Sequence, residues 1–97
     1  MVTELGLITV FPDHKEAFER DMAFAAENII GAAEGFISYT PHGWGIEHPN
    51  QWMFTVQWET VEHHKVKFFN SPAVQQWVEL MDGHIDGDGT YIHYELP

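Results

Sequence analysis

The sequence predicts a single α+β domain in which strands and helices follow one another in the order β-α-β-β-α-β. Three observations support this prediction. The chain has 97 residues, the size of one domain. Two segments carry apolar residues at three- and four-residue steps, as helices do, and four others are alternating or continuously apolar, as strands are. Their order is that of the ferredoxin-like fold, an antiparallel sheet with both helices on one face.

The first strand and the first helix are separated by a change in apolar spacing. Residues 5–11 (LGLITVF) are apolar on both alternating faces, which is typical of a strand buried on both sides. We expect Asp13 to be the N-cap of the helix, with Glu16 completing a capping box. From His14 to about Ala33, one apolar stripe predicts a helix; it comprises Phe18, Met22, Ala25, Ala26 and Ile29.

The second and third strands are predicted on either side of a glycine-rich loop. Residues 36–42 (FISYTPH) form the second strand, and residues 42–50 contain two Gly, one Pro and one Asn, as loops do. Residues 51–59 (QWMFTVQWE) form the third strand. One face of this strand is continuously apolar; it consists of Trp52, Phe54, Val56 and Trp58.

The second helical region begins near Thr60 and is interrupted before it ends. Ser71 as N-cap and Pro72 at the first helical position predict that a new helix starts there. Its apolar stripe is made of Val74, Trp77, Val78 and Met81. Residues 82–89 form a polar turn, and residues 90–96 (TYIHYEL) form the last strand.

A sheet with both helices on one side leaves its other face uncovered. That face carries either the apolar set of the third strand or the residues that alternate with it, and on a monomer it would be a large exposed apolar patch. Pairing two such sheets removes the patch from water. The sequence therefore predicts a homodimer.

Composition excludes several classes of partner. Fifteen acidic and four basic residues give a formal net charge of −11, so nucleic-acid binding is excluded and an anionic membrane surface is disfavoured. The chain has no Cys, hence no disulfide and no thiolate metal site. We find neither a signal-peptide pattern nor an apolar run of roughly 20 residues, so a cytoplasmic protein is expected.

Three short motifs resemble those of a known family. Gly35-Phe36-Ile37-Ser38-Tyr39 opens the second strand, Trp58-Glu59-Thr60 ends the third, and Asn70-Ser71-Pro72-Ala73 restarts the second helix. In this order and spacing they resemble the antibiotic biosynthesis monooxygenase superfamily, whose fold is a dimeric α+β barrel. The members of this group include cofactor-independent oxygenases of polycyclic phenols, quinol oxygenases, haem-degrading enzymes and proteins with no established reaction, so the resemblance implies the fold more specifically than the chemistry.

The sequence departs from the patterns of these relatives at the positions that matter for chemistry. Haem-degrading relatives have an Asn in the first strand and a haem-ligating His after the Ser-Pro restart, whereas residues 73–77 here contain no His. Many monooxygenase-type relatives have an acidic residue two positions before the Trp, where this chain has Val56. The His that commonly precedes the Ser-Pro pair is replaced by Asn70.

Strand positions and the resemblance together indicate five candidate site residues. His93 shares a strand face with Tyr91 and is our candidate catalytic base for removing a phenol proton, because a neutral imidazole titrates near working pH. Trp58 and Tyr39 are candidate substrate-binding walls of a cavity, and His42 and Trp44 candidate substrate-binding residues at its mouth. The structural alternative for each is a core aromatic residue, a hydrogen-bonded strand His or an ordinary loop.

No metal site and no cofactor are predicted. His63 and His64 are neighbours on a helix and point about a hundred degrees apart. Residues 82–88 superficially resemble a calcium loop, but His84 occupies a ligand position and His93 stands where the bidentate Glu belongs.

We therefore predict a cofactor-independent monooxygenase of a small electron-rich aromatic or quinol ligand. The alternative is a non-catalytic dimeric module that binds a small ligand, and a third reading is a haem-binding or haem-degrading protein. A buried ionisable group beside the aromatic residues would favour catalysis, and a wholly apolar cavity would favour binding alone.

Overall fold

The computed structural model describes residues 1–97 and confirms the α+β, ferredoxin-like fold. The sheet contains strands β1 (Val2–Thr9), β2 (Phe36–Trp44), β3 (Gln51–Trp58) and β4 (Thr90–Glu95), and the two α-helices are α1 (Lys15–Ala25) and α2 (Pro72–Met81). The strand order is β2-β3-β1-β4, and each neighbouring pair is antiparallel. None of the helices has the length and apolar composition required to cross a membrane.

The start of α1 differs from the predicted capping box. A short 3₁₀-helix, Pro12–His14, precedes α1, and His14 rather than Asp13 occupies the N-cap position without a side-chain hydrogen bond. The His14 backbone N–H donates to the Phe11 carbonyl at 2.9 Å. The backbone of this tight turn is hydrogen-bonded within the turn itself, so Asp13 lies inside the turn instead of capping a helix. The capping-box prediction is wrong.

Each helix is joined to a π-helical segment that the apolar periodicity of the sequence does not predict. Helix α1 continues as Ala26–Ile30, and His63–Phe68 precedes α2. The first segment ends at Gly31, where a Cβ atom would lie 2.4 Å from the Ala26 carbonyl oxygen. Glycine therefore closes this wide turn, and the helix stops before the predicted end near Ala33.

The junction before α2 is built differently from a side-chain N-cap. Ser71 occupies the N-cap position as predicted, and Pro72 is the first helical residue. The Ser71 hydroxyl, however, donates to the Phe68 carbonyl at 2.6 Å. The hydroxyl thus pairs with a backbone carbonyl at the end of the π-helical segment, and the first turn of α2 has no side-chain cap.

The face of β3 that is continuously apolar is the face that meets the helices. Trp52, Phe54, Val56 and Trp58 are all buried. They pack in one core with the buried residues of α1, which include Phe18 and Met22, and with Ile8 of β1. The sequence left open which face of the sheet points inward, and the burial of these four residues decides it.

The opposite, outer face of the sheet has no covering layer. Cross-strand pairs place Leu5 beside Thr55 and Ile92, and Leu7 beside Met53, on this face. Ile92 is 43% exposed and Tyr94 52% exposed. We call Leu5, Leu7, Met53, Ile92 and Tyr94 the outer apolar face.

Candidate functional site

A small cavity lies between the sheet and the helices, near the start of β1 and the end of β3. Its volume is about 90 Å³, and nine of its eleven lining residues are hydrophobic. Aromatic rings form most of the wall; they belong to Phe54, Trp58, Phe68, Phe69, Trp77 and Tyr91. The cavity therefore suits a flat, apolar ligand.

The two π-helical segments place side chains in this cavity. Ile30 ends the first segment, and His64 and Phe68 come from the second. Helix α2 adds Val74 and Val78. Because a π-turn widens the helix and changes the direction of its side chains, such segments often occur at functional sites.

Glu4 is the one carboxylic acid in the cavity wall. It is 4% exposed, and the Trp58 indole Nε1–H donates to its Oε1 at 2.9 Å. Burial raises the pKa of Glu4 from 4.5 to about 7, and the hydrogen bond from Trp58 offsets part of this rise. At neutral pH, Glu4 can therefore accept or donate a proton inside an otherwise apolar space.

His64 lies beside Glu4 and Trp58. Its ring stacks on the Trp58 indole, with ring centroids 5.1 Å apart and planes inclined by 16°. Its Nε2 is 3.6 Å from Glu4 Oε2, which is beyond direct hydrogen-bond distance. Burial lowers the pKa of His64 to about 4, and the neighbouring His93 and Lys65 add to this effect. His64 is therefore neutral at physiological pH.

Tyr91 is the third titratable group in the cavity wall, after Glu4 and His64. It is the β4 neighbour of Gly6, across the sheet from Phe54. Burial, together with the smaller effect of the charge of Glu4, raises the pKa of Tyr91 to about 12. Its hydroxyl therefore stays protonated, and it can donate a hydrogen bond to a ligand.

Two of the five candidate residues from the sequence are found at this site. Trp58 lines the cavity, as its proposed role requires. His93 is half-buried and does not line the cavity, but its Nε2 lies 2.7 Å from His64 Nδ1. Burial lowers the pKa of His93, and the charge of Lys65 lowers it too.

The other three candidates lie elsewhere. Tyr39 is on the helix face of β2 but packs on Phe54, with ring centroids 5.8 Å apart, outside the cavity wall. Trp44 packs on Trp52 at 5.1 Å and beneath the ammonium group of Lys15. His42 is exposed, and its Nε2 is 3.0 Å from Thr55 Oγ1. None of the three reaches the cavity.

Sequence reasoning missed Glu4 and His64. Glu4 precedes the predicted first strand, yet it alternates with Gly6, Ile8 and Val10 on the buried face, and this period of two could have revealed it. It is also the cross-strand neighbour of Val56, the position where many relatives have an acidic residue. His64 stands four residues before Phe68, on the same side of the helical segment, which is the signal for a buried His.

The titratable groups of the site form a row that runs outward from the cavity. Glu4 is innermost, His64 follows, and His93 is nearest to the surface. No cluster of three or more His, Asp or Glu side chains is arranged to hold a metal ion. The chemistry that these residues supply themselves is the uptake and release of a proton beside a bound aromatic ring.

Comparisons with known proteins agree with this architecture. The family described as antibiotic biosynthesis monooxygenase matches residues 1–80. A proposed antibiotic biosynthesis monooxygenase from Bordetella bronchiseptica is similar in structure, with a TM-score of 0.91 and 27% sequence identity over 99% of this chain and 96% of that one. Among curated proteins, none matches this chain.

Two more distant structures show the same fold. One is a proposed antibiotic biosynthesis monooxygenase from Nitrosomonas europaea, with a TM-score of 0.76 and 14% identity over 98% of this chain and 97% of that one. The other, proposed to have the same activity, is from Deinococcus radiodurans, with a TM-score of 0.78 and 16% identity over 100% of this chain and 93% of that one.

Proposed function

Because the chain belongs to the antibiotic biosynthesis monooxygenase family, we propose that it oxidises a small phenol or hydroquinone with molecular oxygen and without a cofactor. The observation that carries this proposal is Glu4, a buried ionisable group held beside the aromatic wall of the cavity. Burying a carboxyl group is costly, and a cavity that only held an apolar ligand would not need one.

The size of the cavity favours a small ring. At about 90 Å³ it is smaller than the roughly 150 Å³ cavity that holds benzene in an engineered protein. Phe69 and Val78 line it and are themselves about half exposed, so they form its rim. A single ring can therefore enter with its edge at the rim, whereas a polycyclic phenol would have to displace these two side chains.

The proposed reaction uses Glu4 as the base. Its carboxylate accepts the phenolic proton, and the phenolate passes one electron to O₂. The resulting phenoxyl radical and superoxide combine at an unsubstituted ring carbon to form a peroxide anion. Glu4 returns its proton to the peroxide, and loss of water breaks the O–O bond and removes the ring hydrogen. One phenol and one O₂ give one quinone and one water, and Glu4 ends as the carboxylate.

The surrounding residues have separate roles in this proposal. Trp58 forms a wall for the ring and orients the Glu4 carboxyl through its indole N–H. The apolar lining excludes water, so a phenolate loses hydration and becomes a stronger reductant. Of the residues predicted from the sequence, Trp58 keeps its role, the base becomes Glu4 in place of His93, and Tyr39, His42 and Trp44 have none.

The proposal extends to a homodimer. The outer apolar face is the uncovered surface of a small sheet, and a second copy of the same face would remove it from water. The cavity lies on the other side of the sheet, between sheet and helices, so a dimer formed in this way leaves its mouth accessible.

Oxygen uptake by the purified protein tests the proposal. The panel contains hydroquinones, phenols, naphthols and anthrones, with a chelator present and no cofactor added. We expect uptake with single-ring substrates, kcat/KM rising with pH through about 7 as Glu4 ionises, and a loss of about 100-fold or more in Glu4→Gln. Glu95→Gln, an exposed acid on β4, is the matched control and should keep full activity.

Two results would overturn the proposal. Absence of uptake with every substrate, together with quenching of Trp fluorescence by the same molecules, would show a binding module without catalysis. A strong Soret band on titration with haemin would instead indicate a haem-binding protein.

A further inference from the structure

We propose that His64 and His93 form the path by which Glu4 exchanges its proton with solvent. This inference rests on the proposed function in so far as a base is needed in the cavity. It assigns a role to two histidines that the reaction itself does not use. His93 acts only through His64, and it is therefore a positioning residue.

The geometry forms a continuous row from the cavity to the surface. Glu4 Oε2 and His64 Nε2 are 3.6 Å apart, and His64 Nδ1 and His93 Nε2 are 2.7 Å apart. The second distance is a short hydrogen bond. The first closes to hydrogen-bond length with a movement of about 0.7 Å. Glu4 and His64 are buried, while His93 is half-buried.

The other groups around Glu4 cannot serve as the exit. The Trp58 indole is only a donor. Tyr91 holds its own proton, since its pKa is about 12. Among the cavity residues, His64 is the one neutral base with a free nitrogen. A proton on Glu4 therefore has His64 as its acceptor.

The groups around the two histidines favour transfer of a proton rather than its retention on either ring. His64 faces Glu4 on one side and His93 on the other. Its low pKa, about 4, prevents it from holding a second proton, so it passes one on. Burial lowers the pKa of His93 and the charge of Lys65 lowers it too, and both effects favour the neutral ring, which can accept a proton.

Each transfer balances. Outward, Glu4 Oε2 gives its proton to His64 Nε2, His64 Nδ1 gives its proton to His93 Nε2, and His93 Nδ1 gives its proton to water. Glu4 becomes a carboxylate, and both rings stay neutral with their protons on Nε2. Inward transfer reverses every step and restores the first tautomers.

Such a path matters once a ligand fills the cavity. With its mouth blocked and its wall apolar, the cavity offers Glu4 no direct contact with water. An enzyme molecule that binds substrate with Glu4 protonated would then be inactive until the proton leaves. The path through His64 and His93 allows it to leave without release of the substrate.

A pH jump with benzene bound in the cavity tests the inference without using the reaction, because benzene fills the mouth of the cavity and has no acidic proton. Because the Trp58 indole donates to Glu4, Trp fluorescence should follow the charge of Glu4, with a midpoint near pH 7 that is lost in Glu4→Gln. In His93→Gln we expect the same change, slowed by about 100-fold and accelerated by added imidazole. His42→Gln, an exposed strand His, is the matched control and should respond as wild type does.

The outcomes separate the two proposals. If His93→Gln responds as fast as wild type, the path is wrong, whatever the oxygen-uptake assay gives. If the response is slowed but no substrate is oxidised, the path stands and the proposed function fails. His64→Gln should slow the response as well. Because His64 is buried, the circular dichroism of the His64→Gln variant is compared with that of wild type. If this variant is misfolded, the result for His93→Gln alone decides.

Discussion

At the scale of single residues, Glu4 combines deep burial with few partners. Its carboxyl receives one hydrogen bond, from Trp58, and His64 lies just beyond hydrogen-bond distance. A buried carboxylate normally needs several donors or a cation to be stable. The fold therefore holds an acid whose charged form is disfavoured, and this is both a destabilising feature and the property that a base working near neutral pH requires.

Replacing Glu4 by Gln should stabilise the protein at alkaline pH. The pKa of Glu4 rises from 4.5 to about 7 on folding, so its contribution to stability is complete below pH 4.5 and is lost as the pH rises through 7. Gln keeps the shape and stays neutral. The free energy of unfolding of Glu4→Gln, relative to wild type, should increase by about 3 kcal/mol from pH 4.5 to pH 8.

Urea unfolding at fixed protein concentration measures this difference at both pH values. His64 is present in both proteins, so its own titration cancels. Glu95→Gln is the control, because this exposed side chain should give the same difference at pH 4.5 and pH 8. If Glu4→Gln and wild type differ in stability by the same amount at pH 4.5 and at pH 8, Glu4 is not held in an apolar environment.

At the scale of the elements, β1 brings the Glu4 carboxyl and the ring of Phe54 to the same cavity. Gly6 is the cross-strand neighbour of Phe54, and the ring lies directly over it. A Cβ atom at Gly6 would lie 2.2–2.8 Å from three ring atoms. The glycine is therefore needed for space and not for its backbone conformation, and the position of Phe54 in the cavity depends on it.

Gly6→Ala should destabilise the protein by about 1–3 kcal/mol, because the buried ring of Phe54 would have to be displaced to make room for the added methyl group. The midpoint of urea unfolding checks this. Gly83→Ala is the matched control, since nothing lies within 4 Å of its added methyl group, and it should be unchanged. The double variant Gly6→Ala, Phe54→Leu should recover part of the loss; if Gly6→Ala alone is as stable as wild type, the close packing of this ring is wrong.

The order of the elements could be predicted because its signals are local. The alternation from Trp52 to Trp58 and the step from Phe18 to Met22 lie within one strand and one helix, and both segments fold as predicted. The ends of the helices depend on finer features. The 3₁₀-turn before α1 and the two π-helical segments shift the caps by bonds that no periodicity reveals.

Site residues could be predicted only where the strand position of a single residue was enough to place it. Trp58 could be placed at the end of a strand, and His93 on the same face as Tyr91, from strand position alone. The row from Glu4 to His93 depends on contacts between residues far apart in the chain, such as His64 with His93 and Glu4 with Trp58. The Glu4–Trp58 contact follows from the register of β1 against β3. The His64–His93 contact follows from the way the segment His63–Phe68 packs beside β4. Composition and spacing determine neither.

At the scale of the whole molecule, the proposed dimer and the proposed reaction concern opposite faces of the sheet. Its helix face holds the core and the cavity, and its outer apolar face remains uncovered. A chain of 97 residues buries only about 60–65% of the surface of its unfolded form, so covering a further apolar face adds substantially to stability. The proposed dimerisation through the outer apolar face and the proposed chemistry in the cavity can therefore be tested separately.

Ile92→Asp should convert the proposed homodimer into a monomer. Ile92 is on β4, beside Leu5 on the outer apolar face, and is 43% exposed in a single chain. Within a dimer a buried, unpaired aspartate would cost several kcal/mol on each subunit, whereas in a monomer it is hydrated. Light scattering should give twice 11.2 kDa for wild type and 11.2 kDa for the variant. Ile46→Asp, at a loop residue that is 90% exposed, should remain a dimer.

A wild-type mass of 11.2 kDa would contradict the homodimer, and the outer apolar face would then be exposed to water in the working protein. If Ile92→Asp is monomeric and the fluorescence change that reports Glu4 keeps its midpoint near pH 7, each chain contains a complete cavity. If the midpoint moves to the ordinary range of a carboxyl group, the burial of Glu4 depends on the partner subunit.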